Sequence, residues 1–259
     1  MIGNTLVQNV ADRVLTRLGY ARQPAEPIMP TVEFPDFSAA DARALQAVDA
    51  FTMTSMERRY HLLQAVRHIV KHTIPGALVE CGVWRGGSMM LMAQTLKACG
   101  DETRQLYLYD TFEGMPPPTE IDKDFGDRPA AARLEEEEQK KTASDVWAIA
   151  RLGEVKEHME SVGYPVEKIH YVAGKVEATI PSDVPAQIAL LRLDTDWYES
   201  TAHELKHLYP LVVRGGVVII DDYGYWQGAR KAVDEFLAKL REPILLHRID
   251  VTGRAFVKP

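Results

Sequence analysis

Apolar residues recur along this chain with two different periods. Near the start, Leu6, Val10, Val14, Leu15 and Leu18 share one side of a helix over residues 4–19, and Gly19 supplies a stop. Pro24, Pro27, Pro30 and Pro35 then deny regular structure and predict an extended linker over residues 23–37. Helical spacing returns twice: in a segment capped by Asp36 or Ser38 and running through Asp49, and in one capped by Thr54 or Ser55 over residues 56–71. The second buries Leu62, Leu63, Val66, Ile69 and Val70. From Ile74 the texture changes. Short apolar runs at 77–81, 106–109, 169–172, 188–193 and 217–220 alternate with helical patterns at 88–98, about 147–162, 200–209 and 227–240. Repeated strand–helix units predict a parallel sheet covered on both faces. The tail, 244–249 and 254–257 around Gly253, predicts a hairpin that adds antiparallel strands. The expected fold is therefore α/β: a Rossmann-like, seven-stranded, mostly parallel sheet with helices on both faces, an antiparallel C-terminal hairpin and an N-terminal helical extension. The extension occupies residues 1–50 and the main domain residues 51–259.

Two of the apolar runs end in acid. The run 190–193 enters Asp194 and Asp196, and the run 217–220 enters Asp221 and Asp222. In open α/β sheets ligands collect at the carboxyl ends of strands, so these carboxylates fall where chemistry is usually built. A lone Asp at a strand end commonly caps a turn. Two pairs after two buried strands need more: crowded carboxylates repel one another and call for a cation, a shared proton or full solvation. A hard divalent ion, Mg²⁺ or Mn²⁺, suits an all-oxygen ligand set.

Composition narrows the class. Hydrophobic content of 46% supplies a core, and a formal charge of −7 without a long Lys/Arg run argues against a nucleic-acid binder. Cys81 and Cys99 make neither a disulfide framework nor a metal set; they are expected to be buried, inert thiols in a reducing cytoplasm. No stretch reaches the roughly 18–20 apolar residues that span a bilayer, nor does the N-terminus read as a signal peptide. The first helix carries both Asp12 and Arg13 on its polar face, which favours packing on a partner subunit and predicts a homodimer or higher homo-oligomer. A polar insertion, about 113–145, holds Pro116-Pro117-Pro118 and the run Glu135–Glu138; its length predicts a lid over the sheet edge that carries the acids.

A second set of residues addresses a nucleoside. Glu80-Cys81-Gly82-Val83-Trp84-Arg85-Gly86-Gly87-Ser88 places glycines where a strand turns into a helix, letting a ligand approach backbone and helix N-terminus. The G-x-G-x-x-G spacing of dinucleotide sites is absent, and Glu80 suits an ammonium better than a pyrophosphate. Asp110, ending the next strand, can accept from ribose hydroxyls. Together they point to S-adenosylmethionine, with NAD as the competitor.

These motifs, with Thr52-Met53 and Arg58, Asp110-Thr111-Phe112-Glu113-Gly114, Leu193-Asp194-Thr195-Asp196-Trp197-Tyr198 and Gly215-Gly216 before Asp221-Asp222-Tyr223, resemble the macrocin O-methyltransferase family over roughly residues 50–258. The resemblance implies a class I methyltransferase that uses S-adenosylmethionine and a divalent metal, such as Mg²⁺ or Mn²⁺, to methylate sugar hydroxyls in antibiotic biosynthesis. It places Asp194, Asp221 and Asp222 on metal-ligand positions and Asp196 on that of the general base. Thr52, Met53, Glu80, Gly82, Ser88, Asp110, Thr111, Gly174 and Lys175 fall on the cofactor region. At Ala150-Arg151-Leu152 the chain departs from the Ser-Leu that members often carry, which removes one adenine-side hydroxyl.

Other residues have plainer readings. His203 and His207 have ligand spacing but read better as helix surface, since the aspartates already offer hard oxygens. Tyr223, Tyr225 and Trp226, in the loop beyond the acid pair, are candidates for the acceptor pocket, while Tyr198 and Trp197 are read either as rings stacking on a sugar or adenine, with Tyr198 a further pocket candidate, or as core. Arg85 is expected to hold a carboxylate or a neighbouring acid. The function read from the chain is Mg-dependent O-methylation of a sugar on a glycosylated natural product or glycan. The alternatives are a nicotinamide-dependent oxidoreductase and a non-catalytic carbohydrate-binding scaffold.

Overall fold

The computed structural model describes residues 34–140 and 148–259, so the helix expected over residues 4–19 and the linker through residue 33 lie outside the described residues. The strands are β1 (Ala77–Cys81), β2 (Leu106–Asp110), β3 (Ile169–Ala173), β4 (Ile188–Leu193), β5 (Val212–Ile220), β6 (His247–Arg248) and β7 (Arg254–Val257). They form one sheet in the order β3-β2-β1-β4-β5-β7-β6. The first five run parallel, while β7 lies antiparallel to β5 and β6 antiparallel to β7. Strand order reverses between β1 and β4, and a sheet of this kind opens a crevice outside the strand ends at that switch point.

The helices are α1 (Ala39–Ala47), α2 (Met56–Lys71), α3 (Gly87–Ala98), α4 (Ala130–Lys140), α5 (Leu152–Val162), the single turn α6 (Val176–Thr179), α7 (Tyr198–Leu208) and α8 (Gln227–Leu237). Ser38 rather than Asp36 caps α1, and Ser55 rather than Thr54 caps α2 by accepting from the Arg58 amide at 3.1 Å. Alternate strand residues serve opposite cores. Leu78, Leu106, Leu108, Leu190 and Ile219 face Leu45, Leu63, Ile69, Met89 and Val155 from α1, α2, α3 and α5. Val79, Cys81, Leu191, Val218 and Ile220 face Leu205, Leu208 and Val233 from α7 and α8.

Several boundaries differ from the sequence pattern. The fifth strand starts at Val212 instead of 217, because Gly215, at φ 80°, lets the chain bend without leaving the sheet and β4 shifts register beside it. The last helix stops at Leu237, and the first arm of the hairpin shrinks to two residues. Cys81 is buried as expected, whereas Cys99 is exposed: it sits past the end of α3, where no element covers it.

The described part of the insertion after β2, residues 113–140, is tied to the rest of the domain. Asp122, fully buried, accepts from the Thr119 amide and hydroxyl and from the Tyr198 amide, each at 2.8 Å. Short bridges join Lys123 to Pro129 and Asp124 to Trp226, and the segment continues into α4. None of the described helices is long and apolar enough to cross a membrane.

Candidate active site

A cavity of about 390 Å³ opens at the switch point, walled by the ends of β1, β2, β4 and β5 and roofed by the insertion. One end is the turn from β1 into α3. Here Gly82 adopts φ 81°, and a Cβ at this position would come within 1.9 Å of the Asp194 carbonyl oxygen. Glycine is thus required where β1 passes the end of β4, a constraint of packing more than of ligand approach. The Asp110 carboxylate braces this turn by accepting from the Val83 amide at 2.6 Å and the Trp84 amide at 3.1 Å, and from Phe112 at 2.7 Å on its other oxygen. Burial raises its pKa against those hydrogen bonds. Thr52, Met53, Gly82, Ser88, Asp110, Thr111, Gly174 and Lys175 all line the cavity. Glu80 does not; it lies beneath, 1% exposed.

The opposite wall holds the acids. Asp194, Asp196, Asp221 and Asp222 line the same cavity. One carboxylate oxygen from each of Asp194, Asp221 and Asp222 lies within 4.8 Å of the others. This hard-oxygen donor set fits the divalent cation that the resemblance implies. Burial, reinforced by Asp221 and opposed by Arg192, lifts the Asp194 carboxyl well above its ordinary range; burial with Asp196 and Asp221 does the same to Asp222. Burial pushes Asp196 up to about 7, with Asp194 and Asp221 adding to it and a hydrogen bond with Asp222 opposing it. The cluster carries more negative charge than its surroundings neutralise.

The pattern of apolar residues concealed the partial neutraliser. Arg192 sits inside β4, 3% exposed, with its guanidinium 2.6 Å from Glu80, 2.7 Å from Asp194 and 2.7 Å from Asp221. The sheet arranges this: Arg192 is directly opposite Glu80 across the β1–β4 ladder and Ile219 across the β4–β5 ladder, so Asp194 and Asp221, two residues on, share its face. Parity within the strand, an Arg two residues before an Asp, was the available signal. Burial pushes Glu80 up to about 7 while Arg192 pulls it down. A second guanidinium, Arg58 from α2, pairs with the other oxygen of Asp221 and, at 3.0 Å, with Asp250.

The aromatic candidates divide. Trp226 lines the cavity, edge-on to the buried Trp197 with ring centroids 4.9 Å apart. Tyr198 and Tyr223 do not line it. The Tyr198 hydroxyl donates to Glu235 and that of Tyr223 to Asp234, both at 2.7 Å, and Arg230 and Arg254 hold the Tyr223 ring between them. Tyr225 takes their place, because a turn in which its amide and that of Trp226 both donate to the Asp222 carbonyl aims it inward. Arg133 and Glu137 of α4, neither singled out by the sequence pattern, complete the roof, with the Arg133 guanidinium donating to the Tyr225 hydroxyl. The His203 Nε2–H donates to the Ile180 carbonyl at 2.9 Å, outside the cavity, and Arg85 pairs with Glu154.

Comparison with known proteins supplies the family. A family model for Macrocin-O-methyltransferase (TylF) matches residues 36–258. The chain belongs to the macrocin O-methyltransferase family. It is 34% identical to the 8-demethyl-8-(2,3-dimethoxy-alpha-L-rhamnosyl)-tetracenomycin-C 4'-O-methyltransferase of Streptomyces olivaceus, over 96% of this chain and 90% of that protein. It is 35% identical to the demethyldecarbamoylnovobiocin O-methyltransferase of Streptomyces niveus, over 79% and 74%. Among solved structures it resembles the O-methyltransferase NovP, with a TM-score of 0.68 and 32% identity, covering 80% of this chain and 82% of that one. As a member of the macrocin O-methyltransferase family, the protein is an S-adenosylmethionine-dependent O-methyltransferase.

Proposed function

We propose that this macrocin-type enzyme methylates a sugar hydroxyl on a glycosylated natural product or glycan, with Asp196 as general base and a divalent cation, Mg²⁺ or Mn²⁺, on Asp194, Asp221 and Asp222. The observation that carries this reading is the placement of those four acids along one wall of the cavity whose other end is the glycine turn and Asp110. When bound, S-adenosylmethionine supplies a methyl group on a positively charged sulfur. Thr52, Met53, Ser88, Asp110, Gly174 and Lys175, which line the cavity at the turn, would hold it there. Buried Glu80 keeps Arg192 in place beneath.

Methyl transfer is an in-line displacement, so most of the protein's work is orientation of the attacking oxygen. A cation held by the three aspartates would lower the pKa of an acceptor hydroxyl and fix its direction. Asp196, partly open to the cavity, takes the proton as the oxygen attacks. Tyr225, Trp226 and Arg133 border the space left for the sugar. The name of one relative, which acts on a rhamnosyl tetracenomycin, supports a sugar acceptor, and that of another gives demethyldecarbamoylnovobiocin as its substrate. The absence of dinucleotide glycine spacing and the presence of the acid wall speak against nicotinamide chemistry.

Two measurements test the reading. Methyl transfer from labelled S-adenosylmethionine to rhamnosylated acceptors is expected to fall at least about tenfold on exhaustive chelation and to return with Mg²⁺; full activity in chelator would remove the metal from the scheme. Asp110→Asn should weaken S-adenosylhomocysteine binding about tenfold in calorimetry, since an amide NH₂ would face the turn's backbone donors where a carboxylate oxygen now accepts. Unaltered affinity would separate Asp110 from cofactor binding.

A further inference from the structure

Glu204 is a buried acid for which the scheme above has no use. It lies on α7 with no exposed surface, and among the described residues no cation pairs with it. One carboxyl oxygen accepts from the Thr195 hydroxyl at 3.0 Å; the other lacks a nitrogen or oxygen partner, and the Cys81 thiol lies beside the group. Burial holds this carboxyl well above its ordinary range, opposed by the Thr195 hydrogen bond. Placing an unsatisfied acid in a core is unfavourable, and such groups in native structures call for an explanation.

The explanation lies in what Thr195 does. It is the residue between Asp194, on the metal-ligand side, and Asp196, the proposed base. The chain bends sharply here: Asp196 has φ 65°, a left-handed conformation that is unfavourable for a residue with a Cβ and persists only where the surroundings over-determine it. The determinants are visible. The Asp194 amide donates to the Cys81 carbonyl at 2.8 Å, and the Thr195 carbonyl accepts from the Trp197 amide at 2.7 Å and the Ser200 hydroxyl at 3.3 Å. The Asp196 amide donates weakly to Asp222 at 3.3 Å. These bonds hold the bend by its backbone; Glu204 is the partner that anchors its central side chain.

We infer that Glu204 is a positioning residue for methyl transfer: by accepting the Thr195 hydroxyl beneath the acid wall, it fixes the bend that presents Asp194 and Asp196 to the same cavity. The inference rests on the assignment of those two aspartates in the proposed function. A small displacement of catalytic groups is enough to cost about 10²-fold in rate. The side chain is a stability liability retained for geometry, and its removal separates the two.

The test compares Glu204→Met, Glu204→Gln and Thr195→Val with the wild type. Glu204→Met is expected to lower kcat at least about tenfold while leaving KM for S-adenosylmethionine within about twofold and the melting temperature no lower than wild type. Glu204→Gln, whose amide oxygen still accepts from Thr195, should keep most of the turnover. Thr195→Val should match Glu204→Met, and the double variant should be no worse than either. Thr195→Val also carries the test if Glu204→Met fails to fold. Wild-type kcat in Glu204→Met, or Glu204→Gln as impaired as Glu204→Met, would overturn the inference. Crystal structures of the variants provide a readout independent of turnover: Asp196 should leave its left-handed conformation in Thr195→Val, and its retention there would also overturn the inference. An enzyme inactive on every sugar acceptor would defeat the proposed function while leaving that structural comparison decisive for Glu204.

Discussion

Replacing Asp196 with asparagine should leave S-adenosylhomocysteine binding unchanged in calorimetry and lower kcat by about 10²- to 10⁴-fold, the usual range for loss of a general base. The residue lines the cavity and its amide donates to Asp222, on the wall opposite the turn proposed to hold the cofactor, so the two readouts separate. Asparagine retains the size and the tolerance for left-handed backbone that position 196 demands, with φ 65° in the native chain. What it loses is the capacity to take a proton. A variant that turns over within threefold (about 0.6 kcal/mol) of wild type would remove Asp196 from the chemistry.

The second large effect is on stability. Arg192→Met should destabilise the fold by about 3–5 kcal/mol, because one substitution takes the shared cation from Glu80 and Asp194 and leaves Asp221 with Arg58 alone. Chemical unfolding monitored by fluorescence measures this directly. Adding Glu80→Met to Arg192→Met should recover part of the loss, since an apolar pair can replace a buried ion pair at little cost whereas half of one cannot. A loss below about 1 kcal/mol for the single variant would mean that the acids simply take up protons and are indifferent to the guanidinium. Methyl transfer should vanish in either variant, because Arg192 also orients two of the proposed cation ligands.

Much of the architecture was legible as period and punctuation. Strands buried on both faces announce themselves as apolar runs, and the acids ending β4 and β5 marked the sheet edge at which the cavity opens. The turn after β1 was legible from Gly82 and Gly86, although the reason for Gly82 was the carbonyl of a strand more than a hundred residues away. Arg192 was hidden because a charged residue within an apolar run reads as an interruption; only the register that sets it opposite Glu80 turns it into a counter-ion. Tyr225 could not be told from Tyr223 because they differ by two positions in one turn, and the hydrogen bonds to the Asp222 carbonyl decide which ring faces in. Arg133 and Glu204 reach the site from helices whose own patterns say nothing about it.

The clamp on Arg58 has a bearing on biosynthesis. Asp250, in the turn between the last two strands, accepts from Ser55 at 2.6 Å and from Arg58 at 3.0 Å, and the same Arg58 reaches Asp221. A nascent chain emerging from the ribosome has made its glycine turn and all four acids before that turn exists. Both guanidinium partners of the acid wall, Arg58 and Arg192, are then already in the chain, but Arg58 still lacks the Asp250 carboxylate that holds it beside Asp221. The full set of contacts on Arg58 therefore closes only with the hairpin, the last part of the chain to be made.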